Sequence, residues 1–124
     1  MTQVQMHGIN NCDTIKKAKK WLTDAGIEFS FRDYKKHPVT VAELEDWASK
    51  VGWEVLLNKR GTTWRKLPAA LQSNVSEATV FELLCDNPSM IKRPLLLMHS
   101  EHGDAQIHAF VGFKPQQYAT IFKQ

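Results

Sequence analysis

The stretch VQMHGINNCDTIKKAKKWLTDAGIEFSFRDY, residues 4–34, decides the fold of this chain. Val4 and Met6 alternate with polar residues, which predicts a short strand that ends at a Gly-Ile-Asn-Asn loop. A helix is predicted from about Asp13, because apolar residues then recur at helical spacing until a glycine: Ile15, Ala18, Leu22, Ala25. A second strand is predicted over 27–34. Two strands joined through a helix form a βαβ unit, which favours parallel pairing and a right-handed crossover.

The chain changes character between about 38 and 90. Thr40 and Glu43 have the spacing of a capping box at the start of a second helix. A single helical turn is predicted near 64–67, and Ser76 is placed to cap a further helix that an Asn-Pro pair closes. This region is therefore predicted to be a helical insertion.

Strand patterns return after the insertion. Residues 94–98 are apolar, residues 107–111 are apolar except for His108, and the two ranges flank a polar turn, which predicts a hairpin. Pro115 suits the first position of a last helix. The order is β-α-β, helical insertion, β-β-α. It predicts an α/β protein with a thioredoxin-like fold, a four-stranded mixed sheet flanked by helices, in one domain over 1–124.

Size and composition are those of an ordinary globular domain, with 43% apolar and 23% charged residues in 124. The net charge of +3 is modest and lacks the dense basic stripe typical of nucleic-acid binding. No apolar run reaches the length of a membrane span, and the first residues lack the apolar stretch of a secretory signal. We therefore expect a cytoplasmic monomer that binds neither nucleic acid nor membranes, without a structural disulfide.

Cys12 stands at the predicted junction of the first loop and the first helix. A helix N-terminus carries partial positive charge and free N–H groups, and both stabilise a thiolate, the reactive form of cysteine. Lys16 adds to this field, and Asn11 and Thr14 help to form an anion-friendly turn. The pattern indicates a nucleophile at Cys12; the alternative is a cysteine that only packs as a small hydrophobe.

A second cysteine is missing from this helix. In Cys12-Asp13-Thr14-Ile15 an isoleucine takes the place of the second thiol. A mixed disulfide on Cys12 would therefore need an external resolver, and glutathione is the simplest one. Cys85 is the other candidate, although a buried and inert thiol is its simpler interpretation.

Two arginines are candidates for binding the carboxylates of glutathione. Arg60 lies on a glycine-flanked turn, from which a guanidinium can reach an oxyanion. Arg93 precedes Pro94 at the start of the third strand. A solvated loop charge is the simpler interpretation of Arg60 taken alone.

The sequence does not indicate a metal site or an organic cofactor. Three histidines fall close together with two carboxylates, but they surround a predicted hairpin turn, where polar residues are expected: His99, Glu101, His102, Asp104, His108. The four tryptophans are interpreted as core or subdomain packing. Glutathione is expected as a cosubstrate only.

The active-site segment Gly8-Ile9-Asn10-Asn11-Cys12-Asp13-Thr14-Ile15-Lys16-Lys17-Ala18 resembles that of the ArsC/Spx/YffB family. It is closest to the YffB branch, described as arsenate-reductase-like, glutathione-dependent thiol reductases. The resemblance continues through Asp33-Tyr34-Lys35-Lys36, through 57–67, through 87–94 and through Val111-Gly112-Phe113. It implies active-site roles for Cys12, Arg60, Arg93 and Pro94, and a cis bond before Pro94.

The chain departs from this family pattern in places that bear on function. The glutaredoxin-coupled arsenate reductases that it resembles carry a third arginine after the third strand, and no arginine follows Arg93 here. Gly8 stands where those enzymes have a histidine. The Spx-type regulators often carry a Cys-x-x-Cys switch, which Ile15 removes.

Three functions are therefore compatible with the sequence. The first is a glutathione-dependent thiol reductase that acts on a disulfide or mixed disulfide through Cys12. The second is an Spx-like adaptor that binds a protein partner without catalysis. The third is glutaredoxin-coupled arsenate reduction, against which the missing arginine argues, because a small oxyanion site loses binding energy with each lost guanidinium.

Overall fold

The structure of the protein is a computed structural model that describes residues 2–10, 12–100 and 107–123. The chain divides into two compact units, one made of Met1–Asp33 with Arg93–Gln124 and the other of Tyr34–Lys92. The elements in chain order are β1 (Thr2–Gly8), α1 (Asp13–Asp24), β2 (Ser30–Asp33), α2 (Val41–Val51), α3 (Trp53–Leu56), α4 (Thr62–Arg65), α5 (Ala69–Ser73), α6 (Glu77–Asp86), β3 (Leu95–Ser100), β4 (Ile107–Val111) and α7 (Pro115–Phe122). None of these helices is long and apolar enough to cross a membrane.

The first unit contains the predicted four-stranded mixed sheet, which is confirmed with the order β2-β1-β3-β4. Strand β1 runs parallel to β2 and antiparallel to β3, and β3 is antiparallel to β4. In this register Met6 of β1 lies between Phe31 of β2 and Leu96 of β3. The parallel β1–β2 pair connected through α1 is the βαβ unit that the opening stretch predicts.

The core of this unit lies where α1 and α7 cover the sheet. The helical stripe predicted for α1 is buried, since Ile15, Ala18 and Leu22 are fully inaccessible to solvent. They form one cluster with residues of the sheet and of α7: Val4, Met6, Leu96, Tyr118. The Tyr118 ring meets Phe113 edge to face, with 4.7 Å between ring centroids. Apolar burial on one face of each helix therefore fixes α1 against β1.

Two details of this unit differ from the sequence prediction. The second strand begins at Ser30 rather than Ile27, because the Ile27 N–H donates to the Leu22 carbonyl at 2.9 Å and keeps this segment in the turn after α1. Gly26 adopts a φ of 73° there, which suits the end of a helix. The alternation also predicts His7 on the polar side of β1, yet His7 is only 6% exposed and pairs with Arg32 in the register.

The second unit is helical, and its first helix starts as predicted. The Thr40 hydroxyl accepts from the Glu43 N–H at 3.2 Å, and the Glu43 carboxylate accepts from the Thr40 N–H at 3.1 Å. Its core contains apolar residues from most of its helices: Leu44, Trp47, Leu56, Trp64, Val80, Leu84, Met90. The sequence interpretation missed α3 and α5, and the single turn predicted at 64–67 is α4, which begins at Thr62. Short helices without a full apolar stripe carry little periodic signal.

The hairpin predicted near the end of the chain is present as the antiparallel pair of β3 and β4. Its predicted turn, residues 101–104, lies outside the described residues. Pro115 occupies the first turn of α7, as predicted.

Candidate functional site

Cys12 is the N-cap residue of α1. Its backbone is extended, with φ −129° and ψ 128°, and its carbonyl accepts from the Lys16 N–H at 3.0 Å. Within the described residues, its thiol makes no capping hydrogen bond. The partly buried side chain packs against the core cluster of the first unit. A thiol in this position lies in the positive field at the start of a 12-residue helix.

Lys19 of α1 connects the loop before Cys12 to strand β2 through a hydrogen bond and a cation–π contact. The Lys19 ammonium donates to the Asn10 side-chain oxygen at 3.2 Å and lies 3.7 Å from the ring centroid of Phe31 in β2. Ile9 of the same loop is buried, with only 7% of its surface exposed. The sequence analysis missed Lys19, because charges outside the apolar stripe of a helix are expected to face solvent. The sequence signal for this role is a lysine at the flank of the buried face of a helix whose neighbouring strand carries an aromatic residue.

Gly8 and Ile15 bring the end of β1 and the first turns of α1 into close contact. A Cβ atom at Gly8 would lie 2.5 Å from Ile15 Cδ1 and 3.2 Å from Ile15 Cγ1. Ile15 is fully buried, so the position of the missing second thiol belongs to the core. A side chain at position 8 would therefore require the buried Ile15 to shift, which disfavours residues larger than glycine there.

Arg93 and Pro94 lie at the same end of the sheet as the Cys12 loop. β1 ends at Gly8, and because β3 is antiparallel to β1 it begins at this end, with Leu95 opposite His7. The Arg93–Pro94 bond is cis, and the Pro94 carbonyl accepts from the Gly112 N–H at 2.9 Å. Arg93 Cβ would be 3.9 Å from a Cβ at Gly8. The topology of the first unit therefore brings Cys12, Arg93 and Pro94 to one edge.

The remaining predicted residues of the first unit lie around the start of α1. Thr14 is partly buried in its first turn, and Lys16, two residues further along, is exposed. Asn11 lies outside the described residues.

Arg60 belongs to the second unit. Its N–H donates to the Asn58 side-chain oxygen at 3.0 Å, and its side chain is exposed. The segment before it is held by the Asn58 N–H, which donates to the Met90 carbonyl at 2.8 Å, and by a bridge between Leu57 and Ile91. These contacts attach the turn to the rest of the second unit, and the Arg60 guanidinium is exposed on it.

Cys85 also belongs to the second unit, in the last turn of α6. It is a free thiol, as is Cys12. Partial burial raises the pKa of the Cys85 thiol, and the carboxylates of Asp86, Glu43 and Glu82 raise it further. Such a thiol holds its proton at neutral pH and is a poor nucleophile.

The histidines of the β3–β4 hairpin do not converge. His99 pairs with Ile107 and His108 pairs with Met98, so the two rings point to opposite faces of the sheet. Among the residues that the structure describes, no group of three His, Cys, Asp or Glu side chains could hold a metal ion. His102, Glu101 and Asp104 lie outside them.

A family model described as the ArsC family matches residues 7–121. The chain belongs to the ArsC family. The matched range contains Cys12, Arg60, Arg93 and Pro94, and the resemblance seen in the sequence is confirmed.

Relatives of this ArsC-family chain include proteins of different kinds. An uncharacterized protein of Haemophilus influenzae is 37% identical over 119 residues, which cover 96% of this chain and 98% of that protein. The global transcriptional regulator Spx of Listeria innocua is 25% identical over 96 residues, which cover 76% of this chain and 72% of Spx.

Solved structures agree with the fold. The YFFB protein superposes with a TM-score of 0.82 at 41% identity, covering 95% of this chain and 97% of that chain. An arsenate reductase (ArsC) related protein from Brucella melitensis superposes with a TM-score of 0.73 at 47% identity, covering 98% and 96%. The family of this chain therefore includes both reductase-related proteins and Spx regulators.

Proposed function

We propose that this ArsC-family protein is a glutathione-dependent thiol reductase whose nucleophile is the Cys12 thiolate. The observation that carries the proposal is the place of Cys12 at the N-cap of α1, with the fully buried Ile15 where a second thiol would stand. The helix N-terminus stabilises a thiolate. A single thiol at this site calls for a second thiol from solution.

The reaction proceeds in two exchanges. The Cys12 thiolate attacks the glutathione sulfur of a mixed disulfide; a Cys12–glutathione disulfide forms and the substrate leaves as a thiolate that takes up a proton. The thiolate of a second glutathione then attacks the glutathione sulfur on Cys12, which forms oxidised glutathione and releases the Cys12 thiolate. In sum, the mixed disulfide is reduced by two electrons to the free substrate thiol. The glutathione from the mixed disulfide and the second glutathione leave together as oxidised glutathione.

The arginines supply the charge that an anionic tripeptide needs. Arg93 lies at the same end of the sheet as the Cys12 loop, and we assign it to a glutathione carboxylate. Arg60 is exposed on a turn of the second unit, and its assignment to a glutathione carboxylate rests on the family resemblance alone. The main chain at Pro94 pairs with the bound peptide as a short strand, and Thr14 and Lys16 at the start of α1 contribute to the anion-binding turn. The part predicted for Asn11 in this turn concerns a residue outside the described ones and stays a prediction.

Cys85 has no part in this cycle. Its raised pKa leaves little thiolate at neutral pH. A glutathione-resolved mechanism needs neither this thiol nor a disulfide between the two cysteines.

Similarity to Spx supports a second candidate, a protein-binding regulator. The Spx of Listeria innocua matches 76% of this chain. In that case Cys12 would act as a sensor or serve only packing, and binding of a partner would survive its replacement. Arsenate reduction is the third candidate; it is disfavoured because no arginine follows Arg93.

Intact-mass spectrometry after incubation with oxidised glutathione tests the proposal. We expect one glutathione adduct on the wild type and on Cys85→Ser, none on Cys12→Ser, and its removal by reduced glutathione. Equal and sluggish modification of both thiols would contradict the reductase and favour the regulator. A coupled glutaredoxin assay with arsenate tests the third candidate in the same preparations.

A further inference from the structure

We propose that a groove between α2 and α6 in the second unit binds a lysine- or arginine-bearing peptide segment of a partner protein. The groove has a volume of about 510 Å³ and is lined by Glu45, Trp53, Glu77 and Phe81, with small residues between them. All of it lies within Tyr34–Lys92. It involves none of the residues assigned to glutathione and is independent of the proposed reductase reaction.

The local fold explains why a groove forms there. Ala48 of α2 and Ala78 of α6 are too small to fill the space between the two helices. Gly52, with a φ of 94°, turns the chain sharply after α2. The turn places Trp53 at the end of the groove, and the largely buried Phe81 forms part of its wall.

The charges around the groove are negative. Glu45 and Glu77 are exposed, and within the described residues neither carboxylate takes part in an ion pair or side-chain hydrogen bond, whereas Asp46 on the same helix pairs with Lys50 at 3.0 Å. Helix α6 carries three acidic residues and no basic one: Glu77, Glu82, Asp86.

This combination matches the side chains of lysine and arginine. Their charged ends would contact the carboxylates, and the aromatic rings of Trp53 and Phe81 in the lining can add a cation–π contribution. Their aliphatic stems would cover the alanines. An anionic ligand such as glutathione would be repelled.

A peptide segment fits better than a free amine because the groove is open along one side. Glu45, Ser49, Glu77 and Ala78 in its lining are all exposed. An extended chain can therefore run along it while one side chain enters. The carboxylates at either helix allow a second basic residue to bind.

The test is an NMR titration of the ¹⁵N-labelled protein with the capped peptide Ac-Ala-Lys-Leu-Lys-Ala-NH₂. We expect saturable shifts confined to α2, α3 and α6, including the Trp53 indole N–H. The double variant Glu45→Gln/Glu77→Gln should lower the affinity by tenfold or more, from the loss of charge-assisted contacts. The matched control Glu82→Gln, on the same helix outside the groove lining, should bind like the wild type.

Three results would overturn the proposal. One is the absence of saturable shifts in these helices at millimolar peptide. A second is equal binding of the peptide with norleucine in place of lysine, which would show that the charge is not recognised. A third is equal or tighter binding of spermidine, which would make a free amine the occupant. Because Glu45→Gln/Glu77→Gln should still acquire glutathione at Cys12, failure here is distinguishable from failure of the reductase proposal.

Discussion

Ile15 occupies the space that any side chain at Gly8 would need. A Cβ atom at position 8 would lie 2.5 Å from Ile15 Cδ1, and Ile15 is fully buried. The residue that replaces a second thiol and the glycine that replaces the histidine of arsenate reductases are therefore packed against each other. This contact sets the distance between the end of β1 and the start of α1, where Cys12 lies.

The first prediction concerns this contact. Gly8→Ala should lower the free energy of unfolding by about 1–3 kcal/mol through overpacking, and Ile15→Val alone by about 0.5–1.5 kcal/mol. The double variant should lose less than the sum, because valine lacks the Cδ1 atom. Urea unfolding of the four proteins measures the coupling, and strict additivity would contradict the contact.

The second prediction concerns Lys19. Lys19→Gln should slow glutathionylation of Cys12 severalfold, because the loop loses the contact of Asn10 with the ammonium and the contact with Phe31. The expected loss of stability is only about 0.5–1 kcal/mol. The measurement is the rate of the mass shift in the wild type and the variant, at a temperature at which thermal unfolding curves show both proteins to be folded.

Lys20→Gln is the matched control for Lys19. Lys20 lies on the same helix, and among the described residues its one partner is Asp24, at 2.8 Å, with both side chains largely exposed. Its replacement should leave the rate at Cys12 unchanged. An equal slowing in both variants would show that the general positive charge of α1, rather than the Lys19 contact, governs the rate.

The third prediction follows from the raised pKa of Cys85, caused first by burial and then by three carboxylates. A raised pKa means less thiolate at any given pH, so Cys85 in the Cys12→Ser protein should alkylate more slowly than free cysteine at pH 7.5. Its rate should keep rising above the pH at which free cysteine levels off. Iodoacetamide labelling followed by mass spectrometry measures both, and a rate equal to that of free cysteine at neutral pH would contradict the environment described.

The fourth prediction concerns Arg93. Arg93→Ala should raise the KM for glutathione about tenfold through loss of a charge-assisted contact, and Arg93→Lys should restore part of it. Arg65→Ala removes an equal charge from an exposed position at the end of α4 and serves as the control. If Arg65→Ala raised the KM equally, the effect would be one of overall charge and not of a glutathione contact.

Periodic apolar patterns, and residues whose own chemistry marks the start of a helix, made most of the fold predictable. The stripe through Ile15, Ala18 and Leu22 and the alternation of Val4 and Met6 each reflect one buried face, and both are in place. Pro115 and the pair of Thr40 and Glu43 mark helix starts by local chemistry. Such signals need no knowledge of distant parts of the chain.

What the sequence could not predict depends on tertiary contacts. The burial of His7 on the polar side of β1 and the role of Lys19 against Phe31 arise only once β2 lies beside β1. The sequence predicts Trp53 as a packing residue, whereas in the structure it lines the groove between α2 and α6. The four-residue helix α3 that carries Trp53 is too short to show periodicity. The position of Cys12 at a helix start, in contrast, follows from the strand–loop–helix pattern alone.

The most direct test of the account is turnover of the mixed disulfide between glutathione and 2-hydroxyethanethiol, followed by formation of oxidised glutathione. The account predicts that the wild type and Cys85→Ser catalyse it at equal rates and that Cys12→Ser does so no faster than the uncatalysed reaction. Equal turnover by Cys12→Ser and the wild type, or loss of turnover in Cys85→Ser, would contradict a single-thiol mechanism at Cys12.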